Sequence, residues 1–315
     1  MLTYLQQPNY KGRKSSRKKA IGIKLFLISI PFMIYIIAFN YVPIFGWIYS
    51  FYNFKPLLGA GLTHQQFVGF DNFIEIWRQK EDVIRVLKNT LAFGCLQLIA
   101  SPLPVVFAIL LTEVNSNTFK KLIQTTTTFP NFISWIVVFG ISYSVFSNSG
   151  LVAMLIRHFG GTPPDVSLLG DVNHVWAFQT TLGIWKSLGW SSIIYFASIS
   201  GIDQELYEAV KVDGANRFQS IIHITVPGIL PTYLVLFLLT VSFMLGNGFD
   251  QFFVFNNSMV SGKIQTLDLY TYQLGIVVGK YSYSIAFGIV KSIVSIWLLF
   301  TCNTIAKKTR GDSLF

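Results

Sequence analysis

The chain has 315 residues, of which 52% are hydrophobic and only 12% are charged. Soluble domains carry about 25% charged residues, so the composition argues against a soluble protein and places the chain among membrane proteins. The net charge of +10 raises the possibility of nucleic-acid binding. However, seven of the 24 basic residues immediately precede or begin the first apolar stretch, where such residues set membrane orientation: Lys11, Arg13, Lys14, Arg17, Lys18, Lys19 and Lys24.

Apolar stretches of about 20 residues, the length that crosses a bilayer core, recur along the chain. They predict an all-α membrane protein with six transmembrane helices: Ile23–Ile44, Val86–Leu111, Thr125–Phe146, Val175–Ser198, Pro227–Phe249 and Tyr283–Ile305. The first stretch is too long for the core of a secretory signal peptide, and no small-x-small cleavage site follows it. The second and fourth stretches are interrupted by polar or glycine residues.

An even number of spans places both termini on one side of the membrane, and the basic ends assign that side to the cytoplasm. The sequence therefore predicts a basic cytoplasmic N-terminal tail (1–22), a transmembrane domain (23–305) and a cytoplasmic C-terminal tail (306–315). Residues 45–85, 147–174 and 250–282 are expected outside as solvated loops. Residues 112–124 and 199–226 are expected inside.

The inner segment 199–226 predicts two short helices. Asp203 can cap the first helix, and Glu205 in its first turn suits the positive helix end. Gly214 can adopt a positive φ and turn the chain, and a second helix is expected over Arg217 to Ile224. Three small residues would let another surface approach closely: Ala209, Gly214 and Ala215. The alternative is an amphipathic connector without a partner.

The order of residues in this segment resembles the EAA motif of binding-protein-dependent ABC importer permeases. The matching positions are Glu208-Ala209-Val210, Asp213-Gly214-Ala215, Ile224 and Pro227. Val210 replaces the second alanine of the motif and Ile221 replaces a usual aromatic residue, and both changes keep apolar character. Other stretches resemble the polysaccharide-type carbohydrate permeases: Asn40–Pro43, Val68–Phe73, Phe129–Trp135, Gly248–Gln251 and Tyr281–Tyr283.

The resemblance implies the type I ABC importer permease fold, with five core helices behind a first helix that wraps the partner. It implies that segment 199–226 is a coupling loop seated in a groove of a cytoplasmic ATPase, through Glu205, Glu208, Ala209, Asp213, Gly214 and Ala215. The implied partners are a second permease chain in a heterodimer, two ATPase subunits and an extracellular solute-binding lipoprotein. The implied substrate is an oligosaccharide, and the implied location is the bacterial cytoplasmic membrane.

Polar and aromatic side chains within the spans are candidates for the substrate path, because polarity inside lipid is costly and usually functional. The candidates are Gln97, Trp185, Lys186, Tyr195, Asn247 and Asp250. Lys186 is the candidate cation for an acidic sugar, and Lys291 is the second. The alternative is that Lys186 pairs with an internal carboxylate such as Asp250. Rings such as Trp135 and Trp190 either stack on sugar faces or belong to the interfacial belts.

Signatures of catalysis are missing from the sequence. Gly262-Lys263 and Gly279-Lys280 lack the upstream glycine and the following Ser or Thr of a phosphate-binding loop. The four histidines are scattered, and Cys95 and Cys302 lie in apolar stretches, so neither a catalytic nor a metal site is expected. ATP and Mg are expected on the partner ATPase. A secondary transporter or channel for small polar solutes is the alternative function, although no internal repeat is visible.

Overall fold

The computed structural model describes residues 10–59, 61–246 and 248–310, and the chain divides into two compact units, residues 1–70 and 71–315. In the first unit, α1 (Tyr10–Ile36) continues through a π-helical turn (Ile37–Tyr41) into a 3₁₀ helix (Val42–Phe51). The helix thus begins before the predicted first span. Two 3₁₀ turns (Pro56–Leu58 and Leu62–His64) and the antiparallel strands β1 (Tyr52–Asn53) and β2 (Gln66–Phe67) complete this unit.

The second unit opens with α2 (Asp71–Arg78), α3 (Lys80–Ala100) and α4 (Leu103–Thr112). The predicted second span is therefore two helices separated at Ser101 and Pro102. Proline has no N–H and its ring clashes with the preceding turn, so Pro102 starts a new helix more readily than it continues the old one.

The predicted third span is also discontinuous. α5 (Asn117–Thr128) leads into a 3₁₀ turn (Phe129–Phe132), and α6 (Trp135–Phe146) starts afresh after it. Pro130 lies in the turn, and the side chain of Ser134 caps α6 by accepting a bond from the N–H of Val137. α7 (Leu151–His158) follows.

Four α-helices and one π-helical turn follow in chain order. They are α8 (Val175–Ser200), α9 (Gln204–Val212), α10 (Arg217–Ser220), a π-helical turn (Ile221–Thr225) and α11 (Val226–Ser242). α11 ends before Phe249, the predicted end of the fifth span. The described chain after it turns through Gly248, whose φ of +43° suits glycine and lets the next helix start in a new direction.

Residues 250–282 differ from the solvated loop expected from the sequence. They form α12 (Phe249–Phe255), α13 (Ser261–Ile264), α14 (Leu267–Tyr272) and a π-helical turn (Gln273–Val277), ahead of the last helix, α15 (Tyr281–Arg310). Phe252, Phe255, Ile264 and Leu269 are buried. Hydrophobic burial therefore folds this segment into the protein interior, whereas its polar residues alone suggested solvent.

Five helical stretches in the described part of the chain are long and apolar enough to cross a membrane: Ile21–Phe51, Lys80–Thr112, Trp135–His158, Arg217–Ser242 and Tyr281–Thr301. α8, with 26 residues, is also long enough but is more polar than these five. The structure is therefore helical as predicted, and the six expected spans correspond to these five stretches and α8.

Three clusters of buried side chains hold the second unit together. The first joins α3, α6, α8 and the 250–282 segment: Phe93, Val138, Val175, Phe252, Phe255, Val260, Ile264 and Leu269. The second joins α3, α14 and α15: Val86, Leu245, Leu267, Tyr270, Tyr283 and Phe287. The third joins α4, α8 and α11: Ala108, Ile109, Tyr195, Ile199 and Ile229.

Candidate functional site

The segment that carries the EAA-like motif is a helix-turn-helix with satisfied ends. The Asp203 side chain accepts a 3.0 Å hydrogen bond from the N–H of Glu205 at the start of α9. The turn after α9 passes through Gly214, whose φ of +80° is strained for other residues. At α10, Asn216 and Gln219 cap each other's backbone N–H groups at 2.9 and 2.8 Å. Local hydrogen bonds therefore define the shape of this segment.

The outer surface of the segment is exposed and partly apolar. Val212 is 87% exposed and Phe218 is 69% exposed, and Leu206 and Ile222 are also exposed. Around them lie the predicted coupling residues, of which Glu205, Glu208, Ala209, Asp213 and Gly214 are exposed and Ala215 is half-buried. Apolar side chains grouped within a polar rim are typical of a protein–protein contact surface.

The segment is attached to the helices on either side of it. The hydroxyls of Tyr207 and Thr225 are hydrogen-bonded at 2.9 Å, which ties α9 to the start of α11. Ile202 packs against the third cluster, and an ideal Cβ placed on Gly228 would lie only 2.6 Å from the Cδ1 atom of Ile202. α9 is therefore joined to α8 and α11 by a hydrogen bond and by packed contacts.

A cavity of about 700 Å³ lies among α3, α8, α11 and α12. Its wall includes eight aromatic side chains: Phe93, Trp135, Trp190, Tyr195, Tyr233, Phe237, Phe243 and Phe252. It also includes three amides, Gln97, Gln179 and Gln251, together with hydroxyls such as those of Ser101, Thr180 and Thr240. None of the described residues in the wall is charged. Aromatic surface with a few polar groups is the usual composition of a small-molecule binding site.

Two of the three amides are bonded to each other across the cavity wall. The Nε2 group of Gln251 donates to the backbone oxygen of Gln179 at 2.8 Å and to its Oε1 atom at 2.9 Å. This pair fastens α12 to α8, and both residues are buried. Elsewhere in the wall, the hydroxyls of Ser101 and Tyr233 are hydrogen-bonded at 2.9 Å, which joins the break before α4 to α11.

The predicted substrate-path residues are distributed unequally around this cavity. Gln97 and Tyr195 line it, whereas Trp185, Lys186 and Asp250 are not part of its wall. Trp185 is 44% exposed, and Asp250 is exposed. Asn247 lies outside the described residues.

The two candidate lysines have partners within the protein. Lys186 does not pair with Asp250; its Nζ atom donates to the backbone oxygens of Pro130 and Asn131, at 3.2 and 2.7 Å. Lys291 on α15 forms an ion pair with Asp268 on α14. Because charge inside a membrane domain is costly without a partner, both contacts explain how these lysines are accommodated.

The sequence did not single out Gln179, Gln251 or Tyr233 as cavity residues. Gln179 is a polar residue within the predicted fourth span, so polarity in an apolar stretch is a signal for it. Gln251 lies beyond the predicted end of the fifth span, and its only signal is its place in the Gly248–Gln251 stretch. Tyr233 carried no such signal, because a tyrosine in a span is equally typical of an interfacial belt.

Comparison with known proteins identifies the family. Residues 100–310 match the family model described as the inner membrane component of binding-protein-dependent transport systems. The chain belongs to this family. It is 38% identical over 293 residues to protein LplB of Bacillus subtilis, a match that covers 92% of this chain and 91% of that relative.

Other relatives cover nearly the whole chain as well. The polygalacturonan/rhamnogalacturonan transport system permease protein YteP of Bacillus subtilis is 34% identical over 312 residues, covering 96% of this chain and 95% of YteP. The crystal structure of a bacterial ABC transporter that imports the acidic polysaccharide alginate superposes with a TM-score of 0.82 at 28% identity, covering 94% of this chain and 99% of that one. The chain is thus an integral membrane permease component of a transport system of the ABC type.

Proposed function

We propose that the chain forms part of the translocation path for an oligosaccharide in an ATP-driven importer. The observation that carries the proposal is the cavity of about 700 Å³, whose wall combines aromatic rings with amides and hydroxyls. A sugar ring has an apolar C–H face and a hydroxyl rim, and these two surfaces match those two kinds of side chain. Two similar proteins support the class of substrate, since one is a polygalacturonan/rhamnogalacturonan transport permease and the other imports alginate.

The exposed surface of α9 and α10 serves, in this proposal, as the contact with the ATPase. Glu205, Glu208, Ala209, Asp213, Gly214 and Ala215 belong to that surface. The ATPase binds ATP together with Mg and hydrolyses the ATP, and this chain has no catalytic role. Closure of the ATPase dimer moves α9, and the Tyr207–Thr225 bond and the Ile202–Gly228 contact pass the movement to the helices that wall the cavity. ATP must therefore bind the two states of the path with different affinity.

The complete importer contains, in this proposal, a second permease chain that forms a heterodimer with this one, two ATPase subunits and an extracellular solute-binding lipoprotein that delivers the sugar. A solved structure of the alginate ABC transporter in complex with an alginate-pentasaccharide-bound periplasmic protein supports such an arrangement; it has a TM-score of 0.83 and 28% identity to this chain. The cavity wall described above is then one part of a path that the second permease completes.

Reconstitution tests the proposal. The test uses proteoliposomes that contain the whole importer and the binding protein, and a panel of tritiated pentasaccharides from cellulose, xylan, galacturonan and alginate. The proteoliposomes are expected to accumulate at least one of these sugars, and only when ATP is present on the side of the membrane where the ATPase subunits lie. An ATPase variant that cannot hydrolyse ATP is the control. Accumulation that persists with this variant would point to a secondary transporter or channel, and a lack of ATP-dependent accumulation across the panel would contradict an oligosaccharide substrate.

The orientation proposed for the chain is that both termini and α9–α10 lie in the cytoplasm of a bacterial cell, as the basic tail suggests. In a background with Cys95 and Cys302 replaced by serine, Thr162→Cys is expected to react with a membrane-impermeant maleimide in intact cells, and Asn216→Cys only after permeabilisation. Thr162 and Asn216 are both exposed on the surface of the chain, so a difference in labelling reports the side of the membrane and not burial within the protein. Labelling of Asn216→Cys in intact cells would reverse the orientation.

A further inference from the structure

The break between α5 and α6 places backbone carbonyls at a partly buried position, where the oxygen of Pro130 accepts one hydrogen bond from the N–H of Ile133 at 3.2 Å and can accept another. A helix end buried in this way must be satisfied by other donors, since unpaired backbone groups are costly away from water. The ammonium group of Lys186, whose side chain reaches across from α8, supplies bonds to the oxygens of Pro130 and Asn131. Lys186 is only 9% exposed. Its charge is therefore used on the backbone of the break and not in the cavity.

The same ammonium group lies beside the first residue of α6. The Nζ atom of Lys186 is 5.5 Å from the centre of the Trp135 ring, within the range of a cation–π contact. Phe255 of α12 meets the Trp135 ring edge-on, with the ring centres 6.4 Å apart. Trp135 is half-buried and is one of the residues that line the cavity. The indole is thus held between two elements and presented to the cavity.

A second contact fixes α8 against the break one helical turn further on. An ideal Cβ on Gly189 would lie 2.3 Å from the carbonyl carbon and oxygen of Thr127, so the backbone of α5 touches α8 at this point. Lys186 and Gly189 are three residues apart and therefore lie on the same face of α8. Close packing at Gly189 brings the break within reach of the lysine.

We propose that Trp135 is a stacking surface for a pyranose ring of the transported oligosaccharide and that Lys186 is its positioning residue. The inference rests on the proposed function and assigns a sugar subsite to the side of the cavity near the break. The ring buries the apolar C–H face of the sugar, and the cavity amides and hydroxyls take its hydroxyl groups. Lys186 acts through Trp135 and through the backbone of the break, without touching the sugar.

The test uses the complete importer with the panel pentasaccharide that the wild-type complex accumulates fastest. The importer is trapped with ATP, Mg and vanadate. The amount of sugar that it retains and the amount of nucleotide that it traps are then measured in the same sample. Trp135→Ala is expected to lower retained sugar about twofold to tenfold, the range for loss of one aromatic contact, with trapped nucleotide unchanged. Lys186→Met is expected to lower it to a similar extent, and Lys186→Arg to restore most of it, because the guanidinium also donates to carbonyls.

A second lysine–tryptophan pair supplies a matched control. The Nζ atom of Lys263 lies 5.2 Å from the ring centre of Trp176, but neither residue lines the cavity. Lys263→Met is expected to leave retained sugar unchanged. Trp135→Phe provides a milder substitution if the alanine variant fails to assemble, and it is expected to give a smaller loss of retained sugar.

The double variant separates a positioning role from an independent one. Because Lys186 acts through Trp135, the pair Lys186→Met with Trp135→Ala is expected to retain as much sugar as Trp135→Ala alone. Additive losses would overturn the role of Lys186, and wild-type retention by Trp135→Ala would overturn the subsite. Failure of the proposed function is distinguishable, since the wild-type complex itself would then hold no sugar while trapping nucleotide.

Discussion

Replacing Val212 with aspartate is expected to abolish ATP-driven uptake while the amount of chain in the membrane stays unchanged. Val212 is the last residue of α9 and is 87% exposed, so the isolated chain tolerates a polar side chain there. If α9 docks in an ATPase groove, the same position becomes buried, and an unpaired carboxylate at such an interface costs about 3–5 kcal/mol. That cost corresponds to a loss of more than about a hundredfold in ATPase affinity.

The measurement is uptake of the labelled pentasaccharide together with co-purification of the ATPase, each compared with the membrane level of the chain. Val212→Thr is the matched control, because it keeps the β-branched shape and is expected to retain most of the uptake. Gly214→Asp tests the same docking less cleanly, since its φ of +80° adds backbone strain to any effect of charge. Uptake at the wild-type level with Val212→Asp would remove the coupling surface from the mechanism.

The shape of the α9–α10 segment could be predicted closely because its signals are local. The Asp203 cap, the break at Gly214 and the start of the second helix at Arg217 all occur where the sequence places them. The predicted end of that helix at Ile224 is wrong, because the chain continues through a π-helical turn into α11. Capping side chains and a glycine with positive φ act within a few residues and need no tertiary contact. The attachment of the segment to its neighbours could not be predicted from local signals, because it depends on the contacts of Tyr207 with Thr225 and of Ile202 with Gly228.

The breaks within the spans and the folding of 250–282 could not be predicted from hydropathy. An apolar stretch that contains Pro102 or Pro130 has the composition of one span, although the structure divides it in two. Conversely, Asn257 suggested a solvated loop, yet its side chain donates a 3.0 Å hydrogen bond to the backbone of Leu169 inside the unit. Composition records how polar a residue is, and only the fold determines whether water or protein satisfies it.

The kinds of side chain in the cavity wall could be predicted from the sequence, but most of the individual residues could not. The sequence predicts amides and aromatic rings along the substrate path, and two of those candidates, Gln97 and Tyr195, lie in the cavity wall. The buried pair of Gln179 and Gln251 is formed by residues far apart in the chain, so no spacing rule reveals it. The partners of Lys186 are backbone oxygens, which every residue carries and which a search for carboxylates overlooks. The side-chain types in the sequence therefore limit which residues can line the cavity, and tertiary packing determines which of those residues do.

Replacing Gly189 with alanine is expected to destabilise the second unit strongly. The added Cβ would lie 2.3 Å from the backbone of Thr127 and 2.5 Å from the nitrogen of Thr128, and backbone atoms in a helix cannot rotate away as a flexible side chain can. α8 and α5 would have to separate, which weakens the Lys186 bonds to the break and the packing around Trp135. Overpacking of this kind costs about 3 kcal/mol or more.

The measurement is the thermal midpoint of the purified chain in detergent and its amount in the membrane, both of which are expected to fall. Gly288→Ala is the matched control, because Gly288 also lies within a helix and an added Cβ there meets nothing within 4 Å. Since alanine favours a helix over glycine by about 1 kcal/mol, this control is expected to be as stable as the wild type or slightly more so. If Gly189→Ala had the same thermal midpoint as the control, the α5–α8 contact would not hold the break in place. The position of Trp135 would then have to depend on Lys186 and Phe255 alone.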